Sequence, residues 1–197
     1  MTDSVRDALA SIYRGDTAAV CAEANPAPPQ AILSGSFNPF HDGHRQLAAA
    51  ASRWLRVEVA FELTIVNADK PPIPSGEAER RLQPMLGVAP IWLTTAPTFA
   101  ERAALFPNVW WVVGFDTAAR VLDPRFYGSA ERRDQALERI RSFGGRFLVG
   151  GRCHGSGEFQ TLAQLTLPVT WHDLFEGLPE AAFRCDVSST AIRSRRG

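Results

Sequence analysis

The chain has 197 residues, 45% of them hydrophobic and 21% charged. That mix can bury a core without disulfide or metal staples, and it excludes intrinsic disorder as the main state. Its 21 basic and 21 acidic side chains cancel, which argues against a polybasic membrane binder and against a nucleic-acid binder held by phosphate charge.

Cys21, Cys153 and Cys185 are far apart and form no CxxC pair, so neither a disulfide framework nor a structural zinc site is expected. The first residues carry acids and no apolar run of signal-peptide length, and no stretch nears the ~20 apolar residues of a membrane span. The sequence is read as soluble and cytoplasmic.

Val5, Leu9 and Ile12 predict a short helix over 4–13. CAEANPAPPQ (21–30) reads as a linker, because its three prolines break any ladder. Residues 1–30 are thus expected to form a helical extension with a Pro-rich linker, and 31–197 the main domain. AILSG (31–35) reads as a buried strand. Residues 44–56 form a helix with Leu47, Ala48, Ala51, Trp54 and Leu55 on one face. VEVAFELTIV (57–66) is a second strand, and NADKPPIPSG (67–76) a loop. A helix over 77–88 has a possible break at Pro84.

Strands follow at 91–95 and 109–114, with a short helix over 97–105 between them. A charged helix over 130–143 turns Ala136, Leu137 and Ile140 inward and leaves ERRDQALERIR as a solvated face. Strands are expected at 146–150 and 167–172, and a terminal helix at 188–196. Alternation of strands and helices predicts an α/β protein with a doubly wound parallel sheet in one domain. Ligands of such sheets bind at the carboxyl ends of the strands. The loops to inspect are therefore 35–43, 67–76, 114–117 and the approach to 188.

The loop GSFNPFHDGH is the most informative stretch. Gly35 and Ser36 leave the first strand in a tight turn, Pro39 fixes the backbone, and Asn38 can bond its own turn. Gly43 permits close approach to the backbone. His41 and His44, three apart at a helix start, can face one side, where free N–H groups and the helix dipole favour anions. Two imidazoles there suit a phosphate chain.

Near the end of the chain, Ser188, Ser189 and Thr190 offer an N-cap, with Arg193 projecting over the same face. This reads as a second anion site. Arg195 and Arg196 read as a solvated tail.

These two stretches resemble the nucleotidylyltransferase superfamily. GSFNPFHDGH matches its G-x-F-[DN]-P turn and H-x-G-H signature, and VSSTAIR (187–193) matches its [IV]-S-S-T-x-[IL]-R motif. The resemblance covers about residues 31–196 and is strongest to nicotinamide and nicotinate mononucleotide adenylyltransferases. It implies a Rossmann-like fold and transfer of a nucleoside monophosphate from ATP to a phosphate-bearing acceptor, with pyrophosphate released. Magnesium would accompany ATP, with no dedicated carboxylate cage and no resident metal site.

Under this resemblance His41, His44, Lys70 and Arg193 carry the chemistry. Gly35, Ser36, Phe37, Asn38, Gly43, Gly114, Asp116, Ser188, Ser189 and Thr190 line the nucleotide. Lys70 is the single lysine beside twenty arginines, which fits a site needing a compact ammonium. Gly114 and Asp116 form a G-x-D element after a strand. Trp92 is a candidate to stack on a pyridine ring, against the usual core role of strand tryptophans. His154 beside Cys153 lacks further ligands at metal spacing and reads as loop.

The acceptor stays open among pyridine mononucleotides, pantetheine phosphate and alcohol phosphates, and the donor between ATP and CTP. A nucleotide-binding regulatory module without turnover is the alternative class. The partners expected are small molecules, without nucleic acid or membrane, and a homo-oligomer is admitted.

Overall fold

Strands apolar on both sides must be covered on both sides, and that requirement organises the molecule. The computed structural model describes residues 2–23, 26–66, 71–153 and 158–184. In chain order its helices are α1 (Asp3–Arg14), α2 (Asp42–Leu55), α3 (Ser75–Leu82), α4 (Phe99–Leu105), α5 (Phe115–Leu122) and α6 (Ala130–Ser142). The strands are β1 (Ala19–Cys21), β2 (Ala31–Ser34), β3 (Val59–Thr64), β4 (Ile91–Thr94), β5 (Trp110–Gly114), β6 (Arg146–Gly150), β7 (Arg152–Cys153), β8 (Phe159–Gln160) and β9 (Phe175–Gly177).

Seven strands make one sheet in the order β1-β4-β3-β2-β5-β6-β9, while β7 and β8 pair separately. All neighbours in the large sheet are parallel except β1 with β4. The α/β doubly wound architecture is therefore as the sequence predicts.

Alternate strand residues feed two cores. Leu33, Phe61, Leu63, Leu93, Val112 and Leu148 face α1, α2 and α3. Ile32, Ala60, Trp111, Val113, Phe147 and Val149 face α4, α5 and α6. The chain winds outward from β2 to β3 and β4, then returns to place β5 on the other flank of β2. The strand order thus reverses between β2 and β5, and the loops leaving their carboxyl ends begin at Gly35 and Gly114.

The preface is tied into this sheet. Residues 19–21 add an edge strand, and Val5, Ala8, Leu9 and Ile12 of α1 are buried in the first core. Ser4 Oγ donates to the Ala22 carbonyl at 2.7 Å, and Tyr13 Oη to the Ile73 carbonyl at 2.5 Å. Of the expected linker, Cys21 closes β1, and the described residues 22–23 and 26–30 carry no helix or strand.

Two other assignments differ. Residues 167–172 do not form a strand: a 3-10 helix spans Val169–Leu174, and the strand follows at Phe175–Gly177. Leu167, Val169 and Trp171 imitate strand alternation, but Pro168 opens the helical turn, Trp171 and Leu174 are the buried pair, and Val169 is 83% exposed. Of the loop expected at 114–117, residues 115–117 already belong to α5, which buries Ala118, Val121 and Leu122. Among the described residues no helix is long and apolar enough to cross a membrane. The expected helix at 188–196 lies outside the described residues.

Candidate functional site

The turn after β2 is built around an aromatic plug. Gly35 N–H donates to the Glu62 carbonyl at 3.1 Å, which keeps the chain beside β3 as it leaves the sheet. Phe37 then adopts φ 43°, an uncommon left-handed conformation for a bulky residue, and its ring is buried. A Cβ at Gly35 would come within 2.9 Å of that ring, so glycine is demanded by packing. The ring sits edge-on to His44, Phe61 and Phe40 at centroid distances of 5.0, 5.6 and 5.7 Å.

His41 and His44 cap α2 reciprocally. His41 Nδ1 accepts from Gly43 N–H at 3.1 Å, and His44 Nδ1 accepts from His41 N–H at 3.2 Å. The rings lie 3.9 Å apart and 29° from parallel. Ser, Thr, Asp or Asn usually fills the cap and Glu or Gln the return position; here two imidazoles do both.

This arrangement decides the protonation chemistry. A nitrogen that accepts an N–H bond carries no proton, so both neutral rings hold theirs on Nε2. Burial pushes the His44 pKa down to about 3, and the neighbouring His41 adds to the shift. Burial also lowers His41, against an opposing pull from Asp42. At neutral pH both rings are uncharged Nε2–H donors. The sequence reading expected free backbone N–H groups at this helix start. The structure instead engages the His41 and Gly43 N–H groups with imidazole nitrogens and shifts donor capacity to the rings.

The other nucleotide-side candidates are spread along the same sheet edge. Gly114 N-caps α5, and a Cβ there would meet nothing within 4 Å. Asp116 lies in the first turn of α5 and is ion-paired with Arg152 of β7. Because β2 and β5 are adjacent and parallel, the turns at Gly35 and Gly114 open at one edge. The Ser34 hydroxyl, at the end of β2, and Arg152 Nε are buried without a hydrogen-bond partner among the described residues.

Phe183 completes this edge. A Cβ at Gly150, the last residue of β6, would come within 2.5 Å of Leu47 and 3.2 Å of Phe183. The described chain thus ends beside α2, one turn beyond His44.

Trp92 is not brought to the histidines. It points into the opposite core from α2, edge-on to Phe106 at 5.1 Å. Lys70, Ser188, Ser189, Thr190 and Arg193, like His154, lie outside the described residues. Among the described residues no group of three or more His, Cys, Asp or Glu is placed to hold a metal ion.

Sequence reasoning missed a buried polar knot on the neighbouring strands. Glu62 is fully buried. Its carboxylate accepts from Thr64 Oγ1 at 2.5 Å, from Thr94 Oγ1, and from Arg102 Nη1 at 3.1 Å. Arg102 also bonds the Ala96 and Pro97 carbonyls at 3.1 and 3.0 Å and stacks over Phe99. Glu62, the second of two carboxylates in VEVAFELTIV and flanked by Phe61 and Leu63, was the available signal. Its partner could not be found that way, because Arg102 beside Glu101 looks like any solvated helix charge. Arg152 was missed for a similar reason, since nothing near it in sequence points to Asp116.

No protein-family model matches the chain, and no curated protein matches it.

Proposed function

We propose that the chain is a nucleotidyltransferase. It joins the nucleoside monophosphate of ATP to a phosphate-bearing acceptor, with nicotinamide or nicotinate mononucleotide the first choice, and releases pyrophosphate. One observation carries this reading: the reciprocal His41–His44 cap, which fixes two neutral Nε2–H donors at the start of the helix that follows the switch-point strand.

Attack by an acceptor phosphate oxygen on the α-phosphorus forms one P–O bond. It breaks the bond to the bridging oxygen of the β-phosphate, and pyrophosphate leaves with the electron pair. No proton need move, so the protein's task is positioning and charge stabilisation. Neutral imidazoles suit that task. They donate to oxygens that gain charge in the transition state without first being deprotonated. Gly114 and Asp116 face the nucleoside in this reading, and Asp116 exchanges Arg152 for a ribose or amine.

Lys70, Arg193, Ser189 and Thr190 keep the phosphate-holding roles implied by the resemblance. The approach of the chain to α2 at Phe183 favours a shared site. Magnesium would come with the triphosphate and would supply charge neutralisation there; among the described residues no group of three or more His, Cys, Asp or Glu is placed to hold it.

The test is pyrophosphate release over a panel of phosphate acceptors with ATP and with CTP. The expected signal is ATP with a pyridine mononucleotide. His44→Ala should lower turnover about 10²–10³-fold, the usual cost of one transition-state donor, while ATP still binds weakly. Binding without turnover across the whole panel would make the chain a regulatory module. Near-normal turnover in His44→Ala would remove the role given to His44.

A further inference from the structure

His44 is held from outside its own helix. Its ring rests on Phe37, and Phe37 follows Ser36, whose carbonyl accepts a hydrogen bond from Arg81 Nη1 at 2.9 Å. Arg81 is a largely buried residue of α3, with 15% of its side chain exposed, and its Nε is anchored on Glu77 Oε1 at 2.6 Å. The guanidinium fork therefore joins a carboxylate on α3 to the turn carbonyl that precedes the left-handed Phe37. A second strut runs parallel to it: Arg45 Nη2 donates to the Pro84 carbonyl at 2.9 Å, and its guanidinium lies over Phe40. Arg80, next in sequence, also pairs with Glu77, but its side chain is 71% exposed.

A bulky residue in the left-handed region is strained and persists only where its surroundings hold it. We propose that Arg81 is a positioning residue of the anion site: by hooking the Ser36 carbonyl it holds the Phe37 ring under His44 and so keeps both capped imidazoles in register. The proposal rests on the reading of His44 as a phosphate donor. The brace itself is a structural claim that can be read without turnover.

The experiment is imidazole ¹⁵N NMR on the full chain, following tautomer and titration midpoint of His44. The variants are Arg81→Gln and Arg81→Lys, with Arg80→Gln as a charge-matched control. In the unsubstituted protein His44 should be the Nε2–H tautomer with a midpoint far below 6.5. Arg81→Gln should raise that midpoint by about one pH unit or more as the ring loosens toward water, and should mix the tautomers. Arg81→Lys should shift it less, since an ammonium restores charge but not the fork. Arg80→Gln should leave it in place.

If Arg81→Gln does not fold, Arg81→Lys and Glu77→Gln, which releases the anchored end, decide by the same signals. Unchanged His44 signals in the folded Arg81 variants would overturn the proposal. So would an equal shift in Arg80→Gln, which would assign the effect to net charge. A silent pyrophosphate assay with the expected NMR shifts would refute the function and leave the brace standing.

Discussion

Acidification should unfasten the cap of α2, and the sign follows from the burial of His44. The unfolded chain takes up a proton on this residue near pH 6.5. The folded chain does so only near 3, because burial disfavours the charged ring. Between those values the unfolded state binds more protons, so stability falls as pH falls through this window and is fully present above 6.5. At 1.36 kcal/mol per unit the whole shift corresponds to an upper bound of about 4.8 kcal/mol. His44 keeps part of its surface in water, which brings the expected contribution to about 2–3 kcal/mol.

His41 shifts in the same direction. The Arg81 guanidinium holds Glu77 below the usual carboxylate range, so Glu77 acts only at lower pH. The window from pH 6.5 to 5.0 therefore isolates the imidazoles. His44→Asn is the matching variant, because its Oδ1 can take the place of Nδ1 in accepting the His41 N–H and does not titrate. Urea unfolding at pH 7.5, 6.5, 5.5 and 5.0 should show the unsubstituted protein losing about 1–2 kcal/mol more than His44→Asn between pH 6.5 and 5.0. Parallel curves for the two proteins would refute the argument that burial of a neutral, acceptor-bound His44 stabilises the turn.

Two further outcomes follow from distances in the same region. Gly35→Ala places a methyl within 2.9 Å of the Phe37 ring, and the fully packed plug has no room to retreat. It should cost about 1–3 kcal/mol in urea unfolding, and a loss below 0.5 kcal/mol would show that the turn is not tightly filled. Arg102→Met leaves the Glu62 carboxylate buried beside two threonines without its cation. That change should cost about 3–5 kcal/mol, with part of the loss recovered in the double variant Glu62→Gln, Arg102→Met. A single variant as stable as the unsubstituted protein would rule out a charged pair there.

The parts of the fold legible in the sequence are those whose signal is local. The strands at 31–35, 109–114 and 146–150 are short apolar runs closed by glycine, and α2 shows its apolar stripe at helical spacing. The edge strand β1 was hidden because Ala19–Cys21 is too short to carry a period and runs directly into a proline-rich stretch. The 3-10 turn at 169–174 misled because residues spaced by two imitate a strand when a 3-10 helix buries positions three apart.

The candidate site divides in the same way. His41, His44 and the glycines around them are contiguous and announce a turn, so they could be read directly. Arg81, Arg102 and Arg152 act on groups 45, 40 and 36 residues away. No local spacing could separate them from ordinary surface arginines. In a chain with twenty arginines, residue type alone carries little information about which guanidinium is structural.

The placement of the preface links stability to the histidine turn through packing. Tyr13 of α1 donates to the carbonyl of Ile73, and Ile73 N–H in turn bonds the Ile65 carbonyl at 2.8 Å beyond the end of β3. Ile73 lies two residues before α3, whose Ala78 and Leu82 share the first core with Val5, Leu9 and Ile12 of α1. Arg81 and Pro84, in and just after α3, are the points that grip the turn at Ser36 and Arg45. The contacts therefore run from α1 through α3 to Phe37 and His44 without leaving one face of the sheet. Without α1 beneath it, α3 would have no fixed height above the sheet, and the Ser36 carbonyl would lose its fixed donor. A helix outside the predicted main domain is thus built into the geometry of the histidine turn.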